Sequence, residues 1–93
     1  MIRSFKDKTT EVVFDGRLPK RFPADLLAIA RRKLRMLHHA TRLDDLRAPP
    51  GNRLHALQRD CAGQHAISIN DQFRICFVWK DGDAHEVEIT DYH

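Results

Sequence analysis

Apolar positions along this chain change their period after Ala48-Pro49-Pro50-Gly51-Asn52, and the change divides it into a helical half and a sheet-forming half. Within Pro23–His39, Leu27, Ala30, Leu34 and Leu37 recur at helical spacing, widened by Leu26 and Ile29, which predicts an amphipathic helix. Pro23 suits a first turn, and Asp25 complements the positive end of the helix. Arg31, Arg32 and Arg35 cover much of the remaining surface, so one face is apolar and another cationic. Upstream, Lys6–Phe14 reads as a shorter helix closed by Gly16, although Thr9, Thr10, Val12 and Val13 are mediocre helix formers. Ile2–Phe5 reads as a short first strand, and Arg17–Phe22 as a basic connector holding Pro19. Asp44-Asp45-Leu46 suits a further turn, and the Pro-Pro-Gly stretch after it is expected to end helical structure.

Beyond that stretch the pattern is that of strands. Leu54–Leu57 is a short one, and Ala66–Asn70 alternates around Ile67 and Ile69 before a turn at Asn70-Asp71. Phe73–Trp79 is apolar on both sides, as a central strand is. Asp81-Gly82 is a strong hairpin signal, leading into Ala84–Asp91 with Val87 and Ile89 facing the core. The expected order is β-α-α-β-β-β-β: one α+β domain over residues 1–93, two helices packed on a mainly antiparallel sheet.

Length and composition narrow the class. A chain of 93 residues buries only roughly 60–65% of its unfolded surface, so its stability should be modest and a partner could raise it. With 42% apolar and 31% charged residues the chain is globular and not disordered. No apolar run approaches the roughly 20 residues that span a bilayer, and Met1-Ile2-Arg3-Ser4-Phe5-Lys6 lacks the apolar core of a signal peptide, so a cytoplasmic protein away from membranes is expected. Cys61 and Cys76 form no Cys-x-x-Cys pair, and Cys76 reads as a buried free thiol. His38 and His39 are adjacent on a helix, pointing different ways, and Cys61 with His65 lacks a second pair; no metal and no cofactor are expected. The net charge of +3 matters less than its clustering at Arg17, Lys20, Arg21, Arg31, Arg32, Lys33, Arg35 and Arg42, which favours a polyanionic or acidic-protein partner.

Polar residues in apolar strands mark the candidate chemistry. His55 is flanked by leucines, and is either a half-buried strand residue or a reactive imidazole. Arg74 is the lone charge in its strand; it either packs its stem and sends its head to solvent or waits for an anion. Asp91-Tyr92-His93 follows a strand directly, as a fraying end or as a site held by a rigid element. If the strand continues, Asp91 and His93 share a face with Val87 and Ile89, and Tyr92 points the other way. A meander could bring these groups together. Two imidazoles, a phenol, a carboxylate and a guanidinium suit RNA scission by its own 2′-hydroxyl, which needs a base, a cation on the phosphorane and an acid for the leaving oxygen.

Several segments together resemble a known family. Met1-Ile2-Arg3-Ser4-Phe5-Lys6, the helix pair, Arg53-Leu54-His55-Ala56-Leu57, Ala66 through Phe77, and Asp81-Gly82-Asp83-Ala84 through Asp91-Tyr92-His93 resemble the HigB-type toxins of the RelE/ParE superfamily. The resemblance covers essentially the whole chain and implies the RelE-like microbial ribonuclease fold. It also implies a ribosome-dependent mRNA endonuclease that cuts in the A site of the 70S ribosome. Its partner would be an antitoxin with a helix-turn-helix, HigA-like, through which the pair reaches operator DNA. His55, Arg74, Asp91, Tyr92 and His93 match the family's catalytic positions. One departure stands out: Gln58 occupies a place where the family often has lysine, and Arg59 beside it faces the opposite way along a strand.

The implied roles are phosphate binding by Arg74, base and acid duties shared by His55 and His93, stacking or 2′-hydroxyl contact by Tyr92, and orientation of an imidazole by Asp91. Arg17, Lys20, Arg21, Arg31, Arg32, Arg35 and Arg59 would contact RNA or the ribosome. Other readings of the same residues are a ParE-like gyrase poison, a basic module that binds RNA or protein without cutting, and a co-repressor that has lost nuclease activity.

Overall fold

The computed structural model describes residues 1–57 and 63–91. Gln58, Arg59, Cys61, Tyr92 and His93 lie outside the described residues.

The first helix, α1 (Lys8–Phe14), begins where Asp7 Oδ1 accepts the Thr10 backbone N–H at 2.8 Å. It ends as the sequence suggests. Gly16 takes φ +92, and the N–H groups of Gly16 and Arg17 donate to the carbonyls of Val13 and Val12, satisfying the last turn. The second helix, α2 (Leu27–His39), is preceded by a 3-10 turn at Ala24–Leu26, so Pro23 caps the turn and not the α-helix itself. Leu26, Ala30, Leu34 and Leu37 are buried along one stripe, with Leu27 and Ile29 half-buried beside it. Lys33 is buried on the same side. Leu43–Arg47 forms a second 3-10 turn, in which Asp45 Oδ2 accepts the N–H groups of Thr41 and Arg42 at 3.1 Å. Contrary to the expectation that Pro49-Pro50 ends helical structure, Pro50–Asn52 makes one more 3-10 turn. Proline at the start of such a turn loses no hydrogen bond.

The sheet holds four strands in chain order, all antiparallel: β1 (His55–Ala56), β2 (Gln64–Ser68), β3 (Phe73–Lys80) and β4 (Asp83–Asp91). The expected first strand is reduced to two isolated parallel bridges, Ile2 with Ala84 and Phe5 with Val87. The interruption has a cause in β4. Cys76 faces Glu88 while Val78 faces His85, so one extra residue bulges from β4 at Glu86, whose φ is +53. The bulge lets Ala84 and Val87 both reach the core despite their odd spacing. Ser4 Oγ accepts the Glu86 N–H there at 2.9 Å.

Helices and sheet meet in one core. Val13, Ala30, Leu34, Leu37 and Leu46 pack against Ile67, Ile75, Phe77, Ala84 and Val87. Thr10 is fully buried yet satisfied, because its hydroxyl accepts the Ile89 N–H at 2.9 Å and so ties α1 to β4. The N-terminal segment is held by Asp83, which meets the Met1 ammonium at 3.2 Å and Arg3 Nε at 3.0 Å. It is also held by His38, whose Nδ1 accepts the Ile2 N–H at 3.1 Å. No helix among the described residues is long and apolar enough to cross a membrane.

Two outcomes follow. Leu34→Ala should cost about 2–5 kcal/mol in denaturant unfolding, since Leu34 is fully buried where α2 meets the core. The pKa of His38 is lowered by burial, then by His39 and the N-terminal charge. A folded-state pKa below the unfolded value near 6.5 means that the unfolded chain takes the proton first. Stability is therefore whole above about pH 6.5 and falls as the pH drops toward the depressed value. His38→Asn, which keeps an acceptor but cannot titrate, should flatten the fall in thermal midpoint between about pH 7 and 5.

Candidate active site

Alternation along paired strands decides which side chains can meet. His55 lies opposite Ala66, Ala66 opposite Cys76, and Cys76 opposite Glu88, making one row across the sheet. The neighbouring row runs Ser68, Arg74, Thr90. Directly opposed residues share a face, and residues two apart do so as well. His55 and Arg74 therefore stand on the same face. Ile67, Ile75 and Ile89 occupy the other face, against the helices. Two strand spacings and a two-residue offset put the Cα atoms of His55 and Arg74 about 12 Å apart. Side chains of that length can reach one phosphodiester from both sides. Ala66, Ser68 and Cys76 between them are small and buried, leaving the longer groups room to lean across.

His55 is exposed, and its orientation is set locally. Nδ1 lies 2.8 Å from the Arg53 carbonyl oxygen. A carbonyl only accepts, so Nδ1 carries a hydrogen and donates. In the neutral ring Nε2 then keeps its lone pair, ready to take a proton. Arg74 is half-buried, and its Nε donates to Thr90 Oγ1 at 3.5 Å, with Cys76 Sγ 3.7 Å from the same hydroxyl. Glu88, the carboxylate of His55's row, is occupied by Lys6 Nζ at 2.9 Å.

Asp91 falls elsewhere. Its Cα partner is Phe73, so it continues the face of Val87 and Ile89, as the spacing suggested. It is exposed at the end of the sheet, where Gln72 Nε2 donates to its Oδ2 at 3.1 Å. The structure thus brings His55 and Arg74 together and places Asp91 on the opposite face.

The basic residues divide as well. Arg32 and Arg35 are exposed and, with Ala28 and Arg31, line a shallow pocket of about 340 Å³ on the outer side of α2. Arg31 is half-buried: its guanidinium lies over Gly16, where an added Cβ would come within 3.0 Å of Nη2. Arg17 pairs with Asp15 at 3.4 Å, and Lys20 and Arg21 are exposed in the connector. Since α2 turns its apolar side to the sheet, this cationic surface is separate from the face of His55 and Arg74.

Lys33, expected among the clustered cations, is instead buried, and it meets a second buried polar residue, Asn52, that the sequence did not single out. Lys33 stands three residues after Ala30 and four before Leu37, a position on the apolar stripe, and that spacing was the available signal.

Comparison with known proteins gives a consistent picture. A family described as the RelE-like toxin of type II toxin-antitoxin system HigB matches residues 3–93. The chain is 38% identical over 85 residues to Toxin HigB-1 of Vibrio cholerae, covering 90% of each. It is 30% identical over 93 residues to Endoribonuclease HigB of Proteus vulgaris, covering the whole of both. The solution structure of the conserved hypothetical protein HP0894 from Helicobacter pylori shares the fold, with a TM-score of 0.54 at 18% identity, over 96% of this chain and 94% of that one. The match spans nearly the full length, and the chain belongs to the HigB family of RelE-like toxins of type II toxin–antitoxin systems.

Proposed function

We propose that this toxin is a ribosome-dependent mRNA endonuclease, working in the cytoplasm and cutting in the A site by attack of the RNA 2′-hydroxyl. The observation that carries the reading is the common face of His55 and Arg74, with His55 Nε2 left free of the bond that Nδ1 makes. The relative from Proteus vulgaris named Endoribonuclease HigB supports it.

In this mechanism His55 Nε2 takes the proton of the 2′-hydroxyl as the 2′-oxygen attacks phosphorus. The P–O5′ bond breaks, a 2′,3′-cyclic phosphate forms, and the O5′ leaving group receives a proton from His93. Arg74 binds the non-bridging oxygens and stabilises the charge that grows on them. Tyr92 stacks on a base or contacts the 2′-hydroxyl. With Gln58 at a place where relatives of this type often carry lysine, Arg74 bears more of the phosphate charge. Asp91, on the opposite face beside Gln72, stays off the phosphate. Arg17, Lys20, Arg21, Arg32, Arg35 and Arg59 contact ribosomal RNA, and a helix-turn-helix antitoxin neutralises the toxin and brings it to operator DNA.

Replacing His55 or Arg74 with Ala should slow mRNA cleavage on programmed ribosomes by about 10²–10⁴-fold. The thermal midpoint and antitoxin binding should stay near those of the parent, because His55 is exposed and Arg74 borders solvent. Mapping 5′ ends on the ribosome-bound message checks this; new ends produced at the parent rate by both variants would defeat the assignment of His55 and Arg74, and a parent that yields no new ends but inhibits gyrase would be a ParE-like poison. Separately, reversing Arg32 and Arg35 to Glu should weaken ribosome association and flatten its dependence on salt, by about one unit of slope for each phosphate that is no longer neutralised. Arg31 is left out of that variant because it is packed over Gly16.

A further inference from the structure

The stretch that leads His55 into β1 hangs on one buried contact. Asn52 is fully buried at the end of the Pro50–Asn52 turn, and its side-chain amide is saturated. Nδ2 donates to the carbonyls of Leu46 at 3.1 Å and Ala48 at 3.2 Å, and lies 3.1 Å from Met36 Sδ. Oδ1 accepts from Lys33 Nζ. Lys33 is only 5% exposed on α2, and among the described residues no carboxylate pairs with it. Burial, and secondarily the charge of Arg32, holds its pKa below the ordinary lysine range.

This is a costly way to fill the interior. An amine taken out of water against a neutral amide is stabilised less than it is desolvated, and an apolar pair of similar volume would usually pack as well or better. What such a network supplies is a single conformation. Its consequence is visible at the next residue. Arg53 sits in the left-handed region, φ 48 and ψ 49, which residues with a Cβ seldom adopt unless their surroundings impose it. Its N–H donates to the Pro50 carbonyl at 3.2 Å, and its own carbonyl meets His55 Nδ1 at 2.8 Å.

We propose that Asn52, gripped by Lys33, is a positioning residue for His55: it holds the Arg53 carbonyl where that oxygen accepts the Nδ1 hydrogen, so that Nε2 is the nitrogen offered to the RNA. The role rests on reading His55 as the proton-transfer group. It predicts that the network matters for the tautomer and the rate more than for stability.

The test is imidazole ¹⁵N NMR on the neutral ring of His55, together with cleavage kinetics on programmed ribosomes. Three proteins are compared: the parent, Lys33→Met, and Lys33→Met with Asn52→Leu. The parent should show protonated Nδ1. The double variant replaces the network with apolar volume and should match the parent in thermal stability while its His55 relaxes to a mixture of tautomers. Its kcat should fall by up to about 100-fold with KM little changed. The single variant, which leaves Asn52 Oδ1 without its donor, should shift the tautomer in the same direction. If the double variant keeps both stability and protonated Nδ1, or cuts RNA at the parent rate, the network is only structural and the proposal is overturned. A parent His55 protonated at Nε2 overturns it directly. Full activity in His55→Ala, by contrast, removes the nuclease role of His55 while leaving the tautomer readings intact, which separates the two failures.

Discussion

Antiparallel register across β2, β3 and β4 decides which side chains face the helices and which stand on the opposite face, and the candidate site exists only in that register. Ile67 and Ile75 are buried and the half-buried Ile89 completes their row, with Phe77 in the next. Because side chains alternate with a period of two, burying that row forces Ser68, Arg74 and Thr90 onto the opposite face. A slip of one residue would drive Arg74 into the core and turn Ile75 outward, and burying a guanidinium without a partner is costly enough to forbid it. The bulge at Glu86 protects the arrangement at its far end. It absorbs one residue of β4, so that Ala84 and Val87 both stay inside while Thr90 remains opposite Arg74.

Much of this was legible in the sequence, and the reasons it stopped where it did are physical. The apolar stripe of α2, Gly16 as a helix stop and Asp81-Gly82 as a hairpin turn are local signals, and each appears where its chemistry placed it. The bulge was not readable, because Glu86 adopts a positive φ that composition associates with glycine. Nor was the thinning of the first strand to two bridges, which follows from that bulge. His55 and Arg74 stood out as polar residues in apolar strands, but their sharing a face depends on pairing between strands, which no single strand encodes. For Asp91 the spacing did indicate the face of Val87 and Ile89, and that face separates it from Arg74.

The molecule is two-sided. On one side the sheet presents His55 and Arg74; on the other, α2 presents Arg32 and Arg35. Arg31 belongs to neither surface alone, since its guanidinium lies over Gly16 just past α1, where the negative end of the helix dipole favours a cation. In the proposed reading the helix side grips structured RNA and the sheet side addresses the message. One small domain can then bind and cut without crowding both tasks onto one surface. The buried Lys33–Asn52 contact joins the two, because it runs from α2 to the turn that precedes His55.

The central claim is that His55 and Arg74 act on a single phosphodiester, and a double-mutant cycle on ribosomal mRNA cleavage addresses it most directly. Residues that work as one unit are strongly non-additive, so the variant lacking both side chains should cut hardly more slowly than the worse of the two single variants. Losses that simply multiply would mean that the two residues act independently, and a shared reactive centre on this face of the sheet would be contradicted.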